Sequence, residues 1–183
     1  MRYLILLFFI VSCSYEKFES SDQPPAVGEC ANGFSTYTIN GEDLQFECNN
    51  YDLVGYVSLD QMDADSGNDC WGWTDPLTGK EYALMGLDNG TGIIDISDPF
   101  NPNYLGKIPT ATLSSTWRDV KVFKDHAFIV SEAAGHGMQI FDLSKVRDVI
   151  ETQEFQPDFV YEGYGHSHNC LLYTSDAADE RRR

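Results

Sequence analysis

The stretch that decides the fold is a block of three short apolar segments, Asp69–Trp73 (DCWGW), Tyr82–Met85 (YALM) and Ile93–Ser97 (IIDIS). The same block recurs as Asp119–Phe123 (DVKVF), His126–Ile129 (HAFI) and Ile140–Ser144 (IFDLS). The offsets are 50, 44 and 47 residues (119 − 69, 126 − 82 and 140 − 93). Short β-branched and aromatic segments bounded by Gly, Asp, Asn or Pro are typical of antiparallel strands. A period of about 40–50 residues with several strands per unit predicts an all-β fold of β-propeller blades.

A third unit begins near the end of the chain, because adding 50 to Asp119 gives Asn169, inside Tyr164–Asn169 (YGHSHN). Residues 29–169 therefore predict about two full blades and the start of a third. Turn chemistry is expected at Pro76–Lys80, at Lys124–Asp125 and at Asp88–Gly90, where Asn and Gly accept positive φ. We also expect a first strand at Gly55–Asp60, an outer strand at Leu105–Pro109 and a short helix within Leu143–Glu151.

The N-terminus has the pattern of a secretory signal over residues 1–12. Arg2 precedes an apolar run, Leu4–Val11, that is too short to span a bilayer as a helix. Cys13 directly after Ser12 predicts a bacterial lipoprotein signal, in which Cys13 is acylated; the alternative is an ordinary signal peptide with an incidental Cys. Residues 13–28 are rich in Ser, Asp, Glu and Pro and predict a flexible tether.

The C-terminal segment 170–183 has a different origin. Cys170–Glu180 (CLLYTSDAADE) matches the translation of a transposase mosaic-end sequencing adapter. We therefore expect the natural sequence to be interrupted after about Asn169. A genuine helical tail ending in three arginines is the alternative.

The charge limits the partners that we expect. The chain has 29 acidic and 12 basic residues, a formal net charge of -17. Such a surface opposes binding to nucleic acid, or to an anionic membrane through the folded part, so we expect membrane association only through the lipid anchor. Two further cysteines, Cys30 and Cys48, predict a disulfide in an exported protein, worth about 3 kcal/mol in the chain-entropy model. Cys70, inside an apolar strand, is expected to be a buried free thiol.

The histidines near the third unit are the strongest candidates for chemistry. His166 and His168 are two residues apart, so on a strand both imidazoles would share a face and could bind one divalent metal, with His136 in a nearby Gly-rich loop. If the blade starts line a channel, Asn68, Arg118 and His168 form one polar tier, and Asp69, Asp119 and Asn169 another. Such tiers bind an ion or small ligand, or simply hydrogen-bond one another and water.

Two other groups have a functional and a structural interpretation. Asp63–Asp69 (DADSGND) gathers oxygen ligands as a calcium loop does, but it lacks the EF-hand spacing and also fits a solvated acidic turn. Trp71, Trp73 and Trp117 fit either a carbohydrate-stacking platform or packing between blades.

Several longer segments resemble the choice-of-anchor B family of exported bacterial proteins built from LVIVD-type repeats. They are Cys48–Leu53, Gly67–Asp75, Gly92–Pro99, Thr116–Val122 and Ile129–Gln139. The resemblance covers about residues 30–169 and implies a β-propeller held at the outer membrane or cell surface, here by Cys13. It implies no catalytic residues. The expected function is a non-catalytic binding or scaffold module for an unknown protein, glycan or small ligand; the alternative is a metal-dependent hydrolase or oxidoreductase using the channel histidines.

Overall fold

A computed structural model describes residues 28–39 and 41–170, which form an all-β structure of three sheets. The signal segment 1–12, Cys13, nearly all of the tether and residues 171–183 lie outside the described residues. Within the described part, no sheet closes on itself. No helix there has the length and apolar character needed to cross a membrane.

The first repeat forms one antiparallel sheet, which we call module 1. It contains β3 (Gly67–Thr74), β4 (Glu81–Leu87), β5 (Gly90–Asp95) and β6 (Asn103–Pro109), hydrogen-bonded in chain order. β6 confirms the outer strand predicted at Leu105–Pro109. The turns predicted between β3 and β4 and between β4 and β5 are also present.

The second repeat forms the sheet that we call module 2. β7 (Arg118–Phe123), β8 (His126–Ser131) and β9 (Met138–Asp142) follow one another, and β11 (Phe159–Tyr161) completes the sheet. The helix expected within Leu143–Glu151 is a 3₁₀ helix at Leu143–Val146, where the Asp142 carboxylate accepts a hydrogen bond from the Ser144 amide.

The strand registers match between the modules residue by residue. Trp71, Leu84 and Ile93 lie opposite one another in module 1, and Lys121, Phe128 and Ile140 do so in module 2. These positions differ by 50, 44 and 47 residues (121 − 71, 128 − 84 and 140 − 93), the offsets found in the sequence. The two blocks are therefore structural repeats.

The main core lies between the modules. Trp73, Leu84 and Ile93 of module 1 are buried against Val120 and Phe141 of module 2. Successive residues of a strand point to opposite faces, so Ala83, Met85 and Ile94 belong to the other face of module 1. That face is covered in part by residues 57–64, with Met62 at the centre of a smaller core.

The N-terminal part is a hairpin of β1 (Phe34–Ile39) and β2 (Glu42–Glu47). A disulfide joins Cys30 to Cys48 at the base of this hairpin, as predicted. Gly28, the last residue of the expected tether, is already buried and forms a bridge with Leu53. Gly28 therefore belongs to the folded part.

Two expectations about strands were incomplete or wrong. Gly55–Asp60 is not a strand, because it makes no ladder with another strand and instead lies across the outer face of module 1 before a turn. A strand that was not predicted, β10 (Gln153–Glu154), lies between β9 and β11 in the chain. It pairs in parallel with β6 and so joins this connection of module 2 to module 1. Gly106 permits this pairing: it has a φ of 138°, and a Cβ there would lie 1.8 Å from the Gln153 carbonyl oxygen.

The environment expected for Cys70 is also wrong. Its thiol forms no disulfide, as predicted, but it is exposed rather than buried. Cys70 lies on the outer face of module 1, which no second sheet covers among the described residues.

Candidate functional site

The first strands of the two modules, β3 and β7, lie side by side, and aspartates link each repeat to the next. Asp69 Oδ2 accepts a hydrogen bond of 3.0 Å from the Val120 amide, 51 residues later. Asp119 Oδ2 accepts one of 2.6 Å from the Cys170 amide, again 51 residues later. Since Asp69 and Asp119 are equivalent positions, the same link occurs twice. The structure thus brings together two of the three residues predicted as one tier and places Asn169 next to the second link.

Lys121 lies between the two aspartates. Its ammonium group contacts Asp69 Oδ2 at 3.4 Å, hydrogen-bonds to Asp119 Oδ1 and stacks over the Trp71 ring at 4.6 Å from the ring centre. Burial alone would lower the pKa of Lys121, but the hydrogen bond and charge of Asp119 outweigh it and raise that pKa. Burial likewise opposes ionisation of Asp119, and its hydrogen bonds, including those from Lys121 and the Cys170 amide, lower its pKa. Lys121 and Asp119 are therefore both charged at neutral pH.

Arg118 is the largest fully buried side chain and reaches from module 2 into module 1. Its Nε donates to the Leu87 carbonyl oxygen at 2.9 Å, and its Nη1 donates to His136 Nε2 at 2.8 Å. His136 Nδ1 then donates to the Gly137 carbonyl oxygen at 3.1 Å, which defines a neutral imidazole. Arg118 Nη2 has no hydrogen-bond partner among the described residues.

Burial sets the protonation of this pair. It lowers the pKa of His136, and the nearby Arg118 charge acts in the same direction. Burial also lowers the pKa of Arg118 to about 10, so the guanidinium stays charged at neutral pH. Arg118 is thus buried between the modules, whereas Asn68 and His168, the other members of its predicted tier, are exposed.

An exposed cluster of Trp117, Glu132 and His168, which we call the edge cluster, lies beside this buried pair. His168 Nδ1 bonds to Glu132 Oε1 at 2.6 Å, and its ring centre is 5.6 Å from that of Trp117. His166 is exposed nearby in sequence, and among the described residues no hydrogen bond joins its side chain to His168. Across residues 28–39 and 41–170, no three His, Cys, Asp or Glu side chains are grouped so as to hold a metal ion.

The ammonium group of Lys107 lies beside the start of the acidic segment Asp63–Asp69. Lys107 Nζ donates to the Asp63 carbonyl oxygen at 2.8 Å, to Asn89 Oδ1 at 3.0 Å and to the Met62 carbonyl oxygen at 3.2 Å. These oxygens are of the type that would bind calcium. Only the Asp63 carbonyl oxygen belongs to Asp63–Asp69, so this contact does not distinguish the calcium loop from the acidic turn.

The three tryptophans do not have one role. Trp73 is buried and stacks on Tyr82 at 5.1 Å between ring centres, as the packing interpretation predicts. Trp71 lies under Lys121, and Trp117 is 51% exposed in the edge cluster. No flat platform of the three is therefore formed.

Sequence reasoning missed Glu132 and Lys121 as partners of the candidate residues. Glu132 is 36 residues from His168, and no local pattern signals such a contact. Lys121 could have been noted, because a charged residue stands there between two valines, Val120 and Val122.

The chain was compared with protein-family models, with curated proteins and with solved structures, and none of the three comparisons gives a match.

Proposed function

We propose that the chain is a β-propeller lipoprotein of the choice-of-anchor B type, held at the bacterial cell envelope through lipid on Cys13. In this proposal it acts as a non-catalytic binding or scaffold module for a protein, glycan or small ligand. The observation that carries the proposal is the repeated link from Asp69 to the Val120 amide and from Asp119 to the amide of residue 170. Although residue 170 belongs to the expected adapter segment, any residue except proline provides this backbone donor.

This link supports a propeller because it joins successive modules at the same strand position. Each module has its first strand next to the first strand of its neighbour, and its apolar face packs on the neighbouring sheet. Repeating that relation adds sheets around a common axis, with the loops left outside for recognition.

The edge cluster supports a binding role. Trp117 offers an exposed aromatic face, and the adjacent Glu132 and His168 offer a hydrogen-bond acceptor and donor. Aromatic rings beside a few oriented polar groups are characteristic of sites for polar ligands.

Anchoring is tested by Cys13→Ser in the full chain, expressed in a bacterium that is supplied with an alkyne-tagged fatty acid. We expect the unaltered protein to carry the tag and to sediment with membranes, and the variant to lose both properties, because only a cysteine at this position can be acylated. Cys70→Ser is the matched control and should keep both. A tag retained in Cys13→Ser would contradict the lipoprotein assignment.

A second candidate function, a metal-dependent enzyme, has one observation in its favour. The Glu132 carboxylate holds His168 at Nδ1 and so orients Nε2 outward, an arrangement found around metal-binding histidines.

Metal analysis separates the two functions. We expect the purified full chain, incubated with Zn²⁺ and then desalted, to retain less than about 0.1 ion per chain, because one oriented imidazole makes only a weak site. His166→Ala/His168→Ala would then behave like the unaltered chain and like the control His126→Ala. One Zn²⁺ per chain, lost only in the double variant, would instead favour the enzyme.

A further inference from the structure

A cavity of about 360 Å³ lies between the two modules, and residues of both line it. Pro109, at the end of β6, belongs to one wall, and Gln139 of β9 and Val160 of β11 belong to another. Gln139 and Val160 are paired across these strands and lie on the face of module 2 that packs on module 1 through Phe141. A third unit that repeated this packing would lie on the opposite face of module 2. The cavity therefore belongs to the two modules themselves.

Gln139 gives this cavity a buried hydrogen-bond acceptor without a donor. The side chain is 2% exposed, and its Nε2 donates to the Pro109 carbonyl oxygen at 2.8 Å. Because a carbonyl oxygen can only accept, the orientation of the amide is fixed, and Oε1 has no partner among the described residues. The amide also lies close enough to His136 to oppose the lowering of its pKa, but both ring nitrogens already have partners, Arg118 and the Gly137 carbonyl oxygen. An acceptor left in this state is unfavourable, and a donor from a ligand would satisfy it.

The other polar groups at the cavity are also mainly acceptors. Glu154 and Glu162 contribute two exposed carboxylates, and Glu154 Oε1 accepts a hydrogen bond of 3.0 Å from Gln156 Nε2. The Thr110 hydroxyl donates to the Leu113 carbonyl oxygen at 3.2 Å, so only its lone pairs remain for a ligand. No lysine, arginine or histidine is among the described residues that line the cavity. The site thus has two negative charges and an excess of acceptors.

These features oppose three classes of ligand. The two carboxylates repel an anion, and no aromatic side chain among the lining residues could stack on a sugar ring. Within the described part of the chain, no three His, Cys, Asp or Glu side chains are grouped for a divalent metal. A primary ammonium group fits instead, because it has three donors and no acceptor. Val160, Pro109 and Pro157 provide apolar contacts for the hydrocarbon stem that carries such a group.

We infer that this cavity binds a primary ammonium group on a short apolar stem. Its source is a free alkylamine or the lysine side chain of another protein. The ammonium group donates to Gln139 Oε1 and to the carboxylates of Glu154 and Glu162, and the stem contacts Val160. The inference rests on the binding role proposed above and gives that role a ligand class, but it uses neither Cys13 nor the edge cluster.

The test is an NMR titration of the purified full chain at pH 7 and low salt, followed through the backbone amides of Gly135 and Val160, which line the cavity. The probes are n-pentylamine, which is protonated at this pH, and n-pentanol, which has the same length and no charge. We expect saturable binding of the amine to one site and none of the alcohol. Equal binding of both probes, or no saturable binding of the amine, would overturn the inference.

A third probe, the amide of Nα-acetyl-lysine, distinguishes the two sources of the ammonium group. It has the same amine on a peptide backbone. Tighter binding of this compound than of n-pentylamine would assign the site to a lysine of a partner protein, and weaker binding would assign it to a free amine. Both results support recognition of the ammonium group.

Charge-matched variants show whether the cavity itself is responsible, because a chain with a net charge of -17 attracts any cation. Glu154→Gln/Glu162→Gln should weaken the binding of n-pentylamine at least about tenfold. The control Glu42→Gln/Glu81→Gln removes two charges from exposed residues, one in the N-terminal hairpin and one at the end of module 1 that is opposite to Pro109. It should bind as the unaltered chain does. Equal losses in the two double variants would overturn the inference.

Gln139→Met tests the buried oxygen, because methionine keeps much of the volume and has no amide. We expect binding of n-pentylamine to weaken at least about threefold, with folding checked by the melting temperature. Unchanged binding by the folded variant would overturn the inference, since the ammonium group would then not reach Oε1. A chain that carries lipid on Cys13 but binds no amine would overturn this inference alone and leave the proposed function in place.

Discussion

Replacing Arg118 by alanine should lower the free energy of unfolding by about 3–5 kcal/mol, measured by urea denaturation at pH 7. The substitution removes most of a fully buried side chain and leaves a cavity between the modules. It also leaves the Leu87 carbonyl oxygen and His136 Nε2 without their donor. The cavity and the two unpaired acceptors both lower the free energy of unfolding, so this is one of the largest losses of stability that we expect from a single substitution.

Arg118→Met separates these two costs, because methionine fills much of the volume but donates no hydrogen bond. We expect a loss of about 1–3 kcal/mol, set by the two acceptors left unpaired. The gain from removing the unpartnered Nη2 reduces this loss in part. A loss below about 1 kcal/mol for Arg118→Ala would show that the buried guanidinium contributes little to the packing of the modules.

His136, which accepts a hydrogen bond from Arg118, should make the free energy of unfolding depend on pH. Burial lowers its pKa in the folded state, so the unfolded chain binds more protons as the pH falls below the ordinary histidine value of about 6.5. The stabilising contribution is therefore present above that pH and is lost below it. Between pH 7 and 5, binding of one proton changes the free energy of unfolding by at most about 1.4 kcal/mol per pH unit. His136→Gln should reduce this dependence of the free energy of unfolding on pH.

The strand segments could be predicted from the sequence because the apolar pattern repeats. Three segments recur in the same order at offsets of 50, 44 and 47 residues, and they form the first three strands of each module. The turns at Asp88–Gly90 and at Lys124–Asp125 are present where they were predicted, but the expected reason is wrong for the first, because neither Asn89 nor Gly90 has positive φ. In the second turn Lys124 has a φ of 53°. The disulfide was predicted because Cys30 and Cys48 flank a short segment in a chain that we expected to be exported.

What could not be predicted depends on which faces are covered and on contacts between distant residues. The pattern around Cys70 gives two faces of a strand but does not say which one another sheet covers, and so its exposure was missed. β10 is two residues long and is paired only because Gly106 lets it approach β6. The bond between His168 and Glu132 and the placing of Arg118 beside His136 depend on how loops meet, for which a single sequence has no signal.

Breaking the ion pair of Asp75 and Arg147 should have a comparably large effect. Asp75 belongs to the turn after β3, is fully buried and receives two hydrogen bonds, of 2.8 and 2.7 Å, from Arg147 of module 2. The Thr78 hydroxyl and the Leu77 amide also donate to it. We expect Arg147→Met to lower the melting temperature at pH 7 by about 10 °C, because it leaves a buried carboxylate without its counter-charge.

The matched control is Lys145→Met, which breaks a pair with Asp158 in the same module. Both side chains of that pair are more than one-third exposed, and exposed pairs contribute little, so the melting temperature should change by no more than about 2 °C. Equal effects of the two substitutions would show that Asp75 and Arg147 act as an ordinary surface pair.

The dependence on pH gives the decisive evidence for a buried charge. In the unaltered protein the Arg147 guanidinium holds the pKa of Asp75 well below its ordinary range, so the stability from this pair is present above about pH 4 and is lost as the pH falls below it. In Arg147→Met the carboxyl has lost that partner, so its pKa in the folded variant is less strongly lowered: burial raises it, and only the hydrogen bonds from Thr78 and Leu77 still lower it. The variant therefore gains less stability than the unaltered protein as the pH rises through the ordinary aspartate range. The difference in melting temperature between the two proteins should therefore be smaller at about pH 3 than at pH 7, and a difference independent of pH would attribute the effect to lost packing by the Arg147 side chain.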